Sequence, residues 1–160
     1  MPTNAERAMP LWQSLEDKPQ GPGEWLKVEQ SRINQFADAT GDHQFIHVDP
    51  EQAALRSPYK VTIAHGYLTL SLLPLLSASV PAPEPKALEG VSMSVNYGLD
   101  RLRFPAPVKV GARVRAHRVL LAAELVAPNT IQLKHKLTVD IEGETKPACV
   151  AETLSRLVYT

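Results

Sequence analysis

The sequence predicts an α+β domain, an antiparallel sheet packed around one long buried helix. From Ala64 to about Ser79 the chain is apolar on nearly every side, with Tyr67, Leu68, Leu70, Leu72, Leu73, Leu75 and Leu76. A helix that is hydrophobic all round has to be buried. The second half of the chain alternates apolar and polar residues at a period of two, as antiparallel strands with one wet face do. A helix followed by a run of such strands, with no internal repeat, belongs to the α+β class.

The elements follow in order. Residues 1–23 form an N-terminal extension, with a short helix around Glu6 to Leu15 and then the loop KPQGPG. Glu24 to Gln30 has the composition of a first strand. Ser31 suits a helix N-cap, and Ile33, Phe36 and Ala37 recur at helical spacing until Thr40-Gly41 ends the element. Asp49-Pro50 then starts a short helix, with Asp49 as cap and Pro50 at the first helical position. Residues 56–63 connect to the apolar helix. Pro74 should kink that helix or split off its last turn, because it removes a hydrogen bond and crowds the Leu70 carbonyl. After the rigid VPAPEP exit, Val91, Met93 and Val95 alternate with Ser92, Ser94 and Asn96. Ile131, Leu133, Leu137, Val139 and Ile141 alternate with polar partners in the same way, and Arg113 to Ala122 and Ala148 to Tyr159 complete the set.

Composition narrows the function. A chain of 160 residues is most simply one domain. Its 44% apolar and 21% charged residues are ordinary for a soluble globular protein. Seventeen basic residues balance seventeen acidic ones, so no net field favours nucleic acid or an anionic membrane. The stretch Tyr67 to Val80 is too short to span a bilayer, and the N-terminus lacks the charged start and apolar block of a signal peptide. The lone Cys149 can form no internal disulfide and no thiolate cage. A soluble cytoplasmic protein is the expectation.

The chemistry concentrates in ATGDHQFIHVDPEQA, residues 39–53. Asp42 precedes His47 by five residues in a loop between two helical patterns. A carboxylate can accept a proton or orient a water, and an imidazole exchanges protons near its ordinary pKa of about 6.5. A second block, TIAHGYLTLSLLPLL from Thr62, places Gly66 at the mouth of the apolar helix. An acid/base pair beside a helix start that can hold an oxyanion suits addition or elimination of water next to a carbonyl. Each residue also has a plainer reading. Asp42 as a turn residue, His47 as a core histidine, and Gly66 as a close-packing site remain open on the residues alone. So does a metal held by Asp42, His43, His47 and Asp49, although the spacing matches no recognised ligand pattern.

The pattern G-D-x-x-x-x-H followed by I-A-H-G resembles the (R)-specific enoyl-CoA hydratases of the MaoC-like dehydratase family. The resemblance covers Phe36 to Leu76 and extends through RLRFPAPVKVGARV, Arg101 to Val114. It implies a single hot-dog domain over residues 24–160, an antiparallel sheet wrapped around a central helix and usually dimeric. It also implies that Asp42 and His47 activate one water for addition to C3 of a trans-2-enoyl thioester and deliver the proton to C2. The Gly66 N–H would polarise the thioester carbonyl, with His65 and Gln44 beside it in the substrate-binding set. The substrate would carry coenzyme A, and no cofactor or metal is implied. The chain departs from the family where Gln44-Phe45 replaces Asn-Pro, and where Pro74 replaces a serine near the catalytic aspartate. Arg101, Arg103, Lys109 and Arg113 are candidates to meet the CoA phosphates. An acyl-CoA thioesterase and a non-catalytic thioester-binding subunit are the alternatives.

Overall fold

The computed structural model describes residues 1–160. Helix α1 (Asn4–Gln13) is followed by two short strands, β1 (Pro19–Gln20) and β2 (Leu26–Lys27). Helices α2 (Gln30–Thr40), α3 (Phe45–Val48), α4 (Pro50–Arg56), α5 (Gly66–Ser71) and α6 (Leu73–Ala78) come next. After a 3-10 turn at Pro85–Leu88, four long strands end the chain: β3 (Val91–Arg103), β4 (Arg113–Ala127), β5 (Thr130–Ile141) and β6 (Cys149–Tyr159). The sheet is antiparallel, in the order β1-β4-β5-β6-β3, and β2 pairs with β4 beside β1.

Helices cover one face of this sheet. Leu68, Leu72 and Leu76 repeat every four residues and so share a helix face. They pack with Val114, Ala116, Leu137, Val139 and Ala151 in the larger core cluster. Helix α1 lies over the other end of the same face, where Ala5, Ala8 and Trp12 meet Leu120, Ile131, Leu133 and Leu157. Its start is a capping box: the Thr3 hydroxyl accepts the Glu6 N–H, and the Glu6 carboxylate accepts the Thr3 N–H. Trp12 donates to the Tyr159 hydroxyl at 2.9 Å, and Tyr159 donates to the Ala87 carbonyl at 2.7 Å. Residues 1–23 thus supply a helix, an edge strand and core side chains to the domain.

Several expectations are corrected. The apolar helix is split, as Pro74 leads one to expect, but the break falls at Leu72. It leaves two six-residue helices, α6 carrying Pro74 in its first turn, where the sequence suggested a long helix short of its last turn. It is not buried all round either, since Tyr67 is 67% and Leu75 51% exposed. Helix α2 starts at Gln30 with Glu29 at the cap position, so Ser31 lies inside the first turn and is not the cap, and Glu29 makes no side-chain capping bond. Of the strand expected over Glu24 to Gln30, only Leu26–Lys27 joins the sheet. On β3 a register shift between Val91 and Met93 changes which residues face inward. Met93 and Val95 consequently lie exposed, while Ser94 and Asn96 line the space under α5 and α6.

On β5 the expected inward set Ile131, Leu133, Leu137, Val139 and Ile141 is buried. The polar exception among them is His135. Burial first, and then the Arg118 charge, push its imidazole down to about 4, against about 6.5 for a free imidazole. Between those values the unfolded chain binds a proton that the folded chain does not. The stabilisation is therefore complete above about pH 6.5 and lost as pH falls toward 4. The thermal midpoint of the wild type should drop across that window more steeply than that of His135→Gln. Parallel curves for the two proteins would remove His135 as the cause.

Candidate active site

Helix α2 ends because Gly41 adopts φ +81° and donates its N–H to the Ala37 carbonyl, a left-handed exit that glycine makes without steric cost. The turn delivers Asp42 to the surface. Its Oδ1 accepts the Gln44 N–H at 3.3 Å, a local bond that orients the carboxylate. Gln44 itself is the exposed cap residue of α3 and makes no side-chain capping bond.

One turn later His47 is buried, at 7% exposure. Its Nδ1 lies 2.7 Å from the Ile63 carbonyl oxygen. A carbonyl only accepts, so Nδ1 carries the proton and Nε2 is left with a free lone pair. Burial lowers the His47 pKa, and the opposing effects of the Ile63 hydrogen bond and, more weakly, of Asp42 do not offset it. The ring is thus a neutral base at physiological pH.

The acceptor of that bond is held from two sides. The Ile63 N–H donates to Ile46 at 2.9 Å, Ala64 donates to Val108 at 2.8 Å, and Val110 donates to Thr62 at 2.9 Å. Gln30 adds a clamp, donating from Nε2 to the His47 carbonyl at 2.7 Å while its Oε1 accepts the Thr62 hydroxyl. Sequence reading does not find Gln30, because a glutamine at a helix start carries no signal of its tertiary partners.

The same bridging segment sets His65 and Gly66. His65 stacks on His47 with ring centroids 3.9 Å apart, and its other side meets Phe36 at 4.9 Å. Its Nε2 donates to the Asp42 carbonyl at 2.9 Å, which leaves Nδ1 a buried acceptor with no partner. Gly66 is the first residue of α5, where a backbone N–H has no partner within the helix. A Cβ at Gly66 would fall 2.8 Å from the Phe104 ring, so the glycine admits an aromatic side chain against the helix start. The structure therefore brings Asp42, His47, His65 and Gly66 into one neighbourhood. Ligand atoms of the first three lie within 4.8 Å of one another. Of the remaining candidates, His43 is exposed and bound to Asp38, which raises its pKa through their hydrogen bond, and Asp49 caps α4 by accepting the Gln52 N–H. Cys149 is buried, with its thiol pushed up to about 11 by burial, and is unreactive.

An antiparallel sheet packed over helices in this way is a hot-dog domain. The chain belongs to the MaoC-like dehydratase family: the family model described as MaoC like domain matches residues 12–141. It is 49% identical over 138 residues to 3-hydroxyacyl-thioester dehydratase Z of Mycobacterium tuberculosis, covering 86% of this chain and 87% of that protein. Nodulation protein N of Rhizobium leguminosarum is 47% identical over 139 residues, covering 87% and 84%. Among solved structures, the R-hydratase PhaJ1 of Pseudomonas aeruginosa superposes with a TM-score of 0.66 at 23% identity, over 93% of this chain and 86% of that one. A MaoC-like dehydratase from Rhodospirillum rubrum gives 0.68 at 18% identity, over 88% and 91%. These two similarities show the hot-dog fold. The family membership makes the chain an enzyme of the hydro-lyase kind. No helix is long and apolar enough to cross a membrane.

Gln30→Ala removes both arms of the clamp and leaves the His47 carbonyl and the Thr62 hydroxyl short of a partner. Such losses cost about 1–3 kcal/mol, which should appear as a reduced unfolding free energy in urea. Unchanged stability would show that the clamp does not hold the site.

Proposed function

We propose that the protein adds water reversibly across the C2–C3 double bond of a trans-2-enoyl-CoA to give the (R)-3-hydroxyacyl-CoA. The observation that carries this is the His47 tautomer. With Nδ1–H committed to Ile63, Nε2 is the one acceptor of the ring, and a ligand atom of His47 lies within 4.8 Å of one from Asp42. One water can give a hydrogen to each, and its remaining oxygen lone pair is then free to attack C3. As the C3–O bond forms, Asp42 takes one proton from the water and the double-bond electrons move toward the thioester oxygen. The proton returned to C2 from the pair completes the addition of H and OH. In dehydration the same steps run backward.

The developing enolate is stabilised by the Gly66 N–H. Helix α5 is only six residues long, so the oriented N–H rather than a long helix dipole supplies the stabilisation. Donors of this kind contribute roughly 2.7–4 kcal/mol in other enzymes. Phe104 against Gly66 gives the thioester an apolar wall. Arg103, next to Phe104 in the chain, and Lys109, whose backbone pairs with Ile63 across an isolated bridge, are exposed cations that this proposal assigns to the CoA phosphates. His65 orders the Asp42 main chain and stacks on His47, a positioning role, and Gln44 acts through its backbone N–H.

A homodimer is part of this proposal. Strand β3 is a thirteen-residue edge that pairs only with β6, and it exposes Met93, Val95 and Tyr97. Long apolar edges of this kind recruit another chain. Sedimentation should report twice the monomer mass of 17.6 kDa, and a monomer at micromolar concentration would contradict it.

The enzymatic test follows loss of the enoyl-thioester absorbance of crotonyl-CoA and a longer enoyl-CoA. Asp42→Asn and His47→Gln should each lower the rate by about 10²–10⁴ while leaving the fold intact. Near-wild-type turnover in both variants would sink the assignment, and thiol release from saturated acyl-CoA would point to a thioesterase. The rate should fall as acid protonates His47, with a midpoint below the ordinary imidazole value, because burial lowers that pKa. Two imidazoles and a carboxylate also suit a divalent cation, so exhaustive dialysis against EDTA is a further check. Activity should survive it; loss of activity restored by zinc would reassign the three residues as ligands.

A further inference from the structure

Three hydrogen bonds and one covalent link close a circuit behind His47. The His47 ring donates from Nδ1 to the Ile63 carbonyl. Ile63 is joined through the chain to Thr62, whose hydroxyl donates to Gln30 Oε1. Gln30 Nε2 donates in turn to the His47 carbonyl at 2.7 Å. The direction of these bonds is fixed by chemistry. The His47 carbonyl can only accept, so the Gln30 atom facing it is the amide nitrogen. That leaves Oε1 for Thr62, and the hydroxyl has to be the donor. The circuit is largely shut off from water, with Thr62 1% and His47 7% exposed, so each group depends on its partner in it.

The circuit is anchored to a rigid element. Gln30 is the first residue of α2, and its amide nitrogen also donates to Asn34 Oδ1 at 2.9 Å, one turn along the same helix. Ile33 and Ala37 hold that helix in the core, both fully buried. Its other end is Gly41, whose left-handed turn delivers Asp42. The two members of the acid/base pair are thus referenced to opposite ends of one helix, Asp42 through the chain and His47 through the Gln30 amide. What the circuit can control is a tautomer. With Nδ1 only 2.7 Å from the Ile63 oxygen, a ring protonated on Nε2 would set two lone pairs against each other. That tautomer becomes accessible only when His47 backs away from Ile63. Ile63 is held by Ile46 and by Val108, so the partner free to move is His47, and Gln30 holds its carbonyl.

We propose that Gln30 is a positioning residue for the hydration step: it holds His47 against Ile63 and so keeps the Nδ1–H tautomer, whose Nε2 lone pair meets the water. Gln30 acts through His47 and not on the substrate. Its effect on rate rests on the hydratase reading, whereas its effect on the tautomer does not.

Gln30→Met keeps the length of the side chain and removes both of its polar atoms. Two readouts on the folded variant separate positioning from a loss of stability alone. Long-range ¹H–¹⁵N correlation should show the His47 Nε2 signal moved from its wild-type position toward that of a protonated nitrogen, as the ring samples its second tautomer. In hydration of crotonyl-CoA, kcat per folded protein should fall by about tenfold to a hundredfold, the scale of a misplaced catalytic group. KM should stay within about twofold, because the bond lost is not one to the substrate. An Nε2 signal that stays at its wild-type position would overturn the proposal, and so would a kcat equal to that of an active wild type. Should Gln30→Met not fold, Gln30→Asn replaces it, its amide one methylene short of its partners, and an unmoved Nε2 signal there is equally fatal. The spectrum needs no turnover, so the two readings fail separately. A wild type inactive on enoyl thioesters would remove the hydratase reading, while the spectrum alone decides whether Gln30 holds the tautomer.

Discussion

The hydrogen bond from His47 Nδ1 to the Ile63 carbonyl is the contact on which the site depends. It fixes which nitrogen of the neutral ring carries the proton, Nδ1, and so which one presents the lone pair, Nε2. It can do so only because Ile63 cannot move. The peptide before that residue is fixed to Ile46 and Val110, and the peptide after it to Val108. The segment 62–64 therefore ties the Asp42–His47 loop to the approach of β4 and delivers His65 and Gly66 in the next two positions. The acid/base pair and the oxyanion donor are set by one short piece of backbone.

Around that piece the fold divides its labour. Leu68, Leu72 and Leu76 anchor the split helix to the sheet, while its first turn stays open enough for Phe104 to lie on Gly66. The break at Leu72 follows from Pro74, and it leaves Tyr67 and Leu75 in solvent. The N-terminal segment closes the far end of the sheet through the Trp12–Tyr159–Ala87 hydrogen bonds. That packing creates the second core.

Much of this is legible in the sequence where one residue type has one local consequence. Gly41 at a helix end, Asp49-Pro50 at a helix start, Pro74 inside an apolar run and the alternation of β5 are of this kind. So is the spacing from Asp42 to His47, because loop and helix turn lie within six residues. What could not be read is what depends on partners distant in the chain. The register shift that turns Met93 and Val95 outward is set by pairing with β6. Gln30 gains its importance from His47 and Thr62, residues 17 and 32 positions away. The decisive acceptor is a backbone carbonyl, and no side-chain pattern announces it.

The most direct test of this account is the protonation state of His47 by long-range ¹H–¹⁵N correlation in the intact protein near neutral pH, with His47→Gln to assign the signals. The account predicts a neutral ring protonated on Nδ1, with Nε2 at the shift of an unprotonated nitrogen. A ring protonated on Nε2, or an imidazolium at that pH, would contradict it, because His47 would then have no lone pair to offer a water.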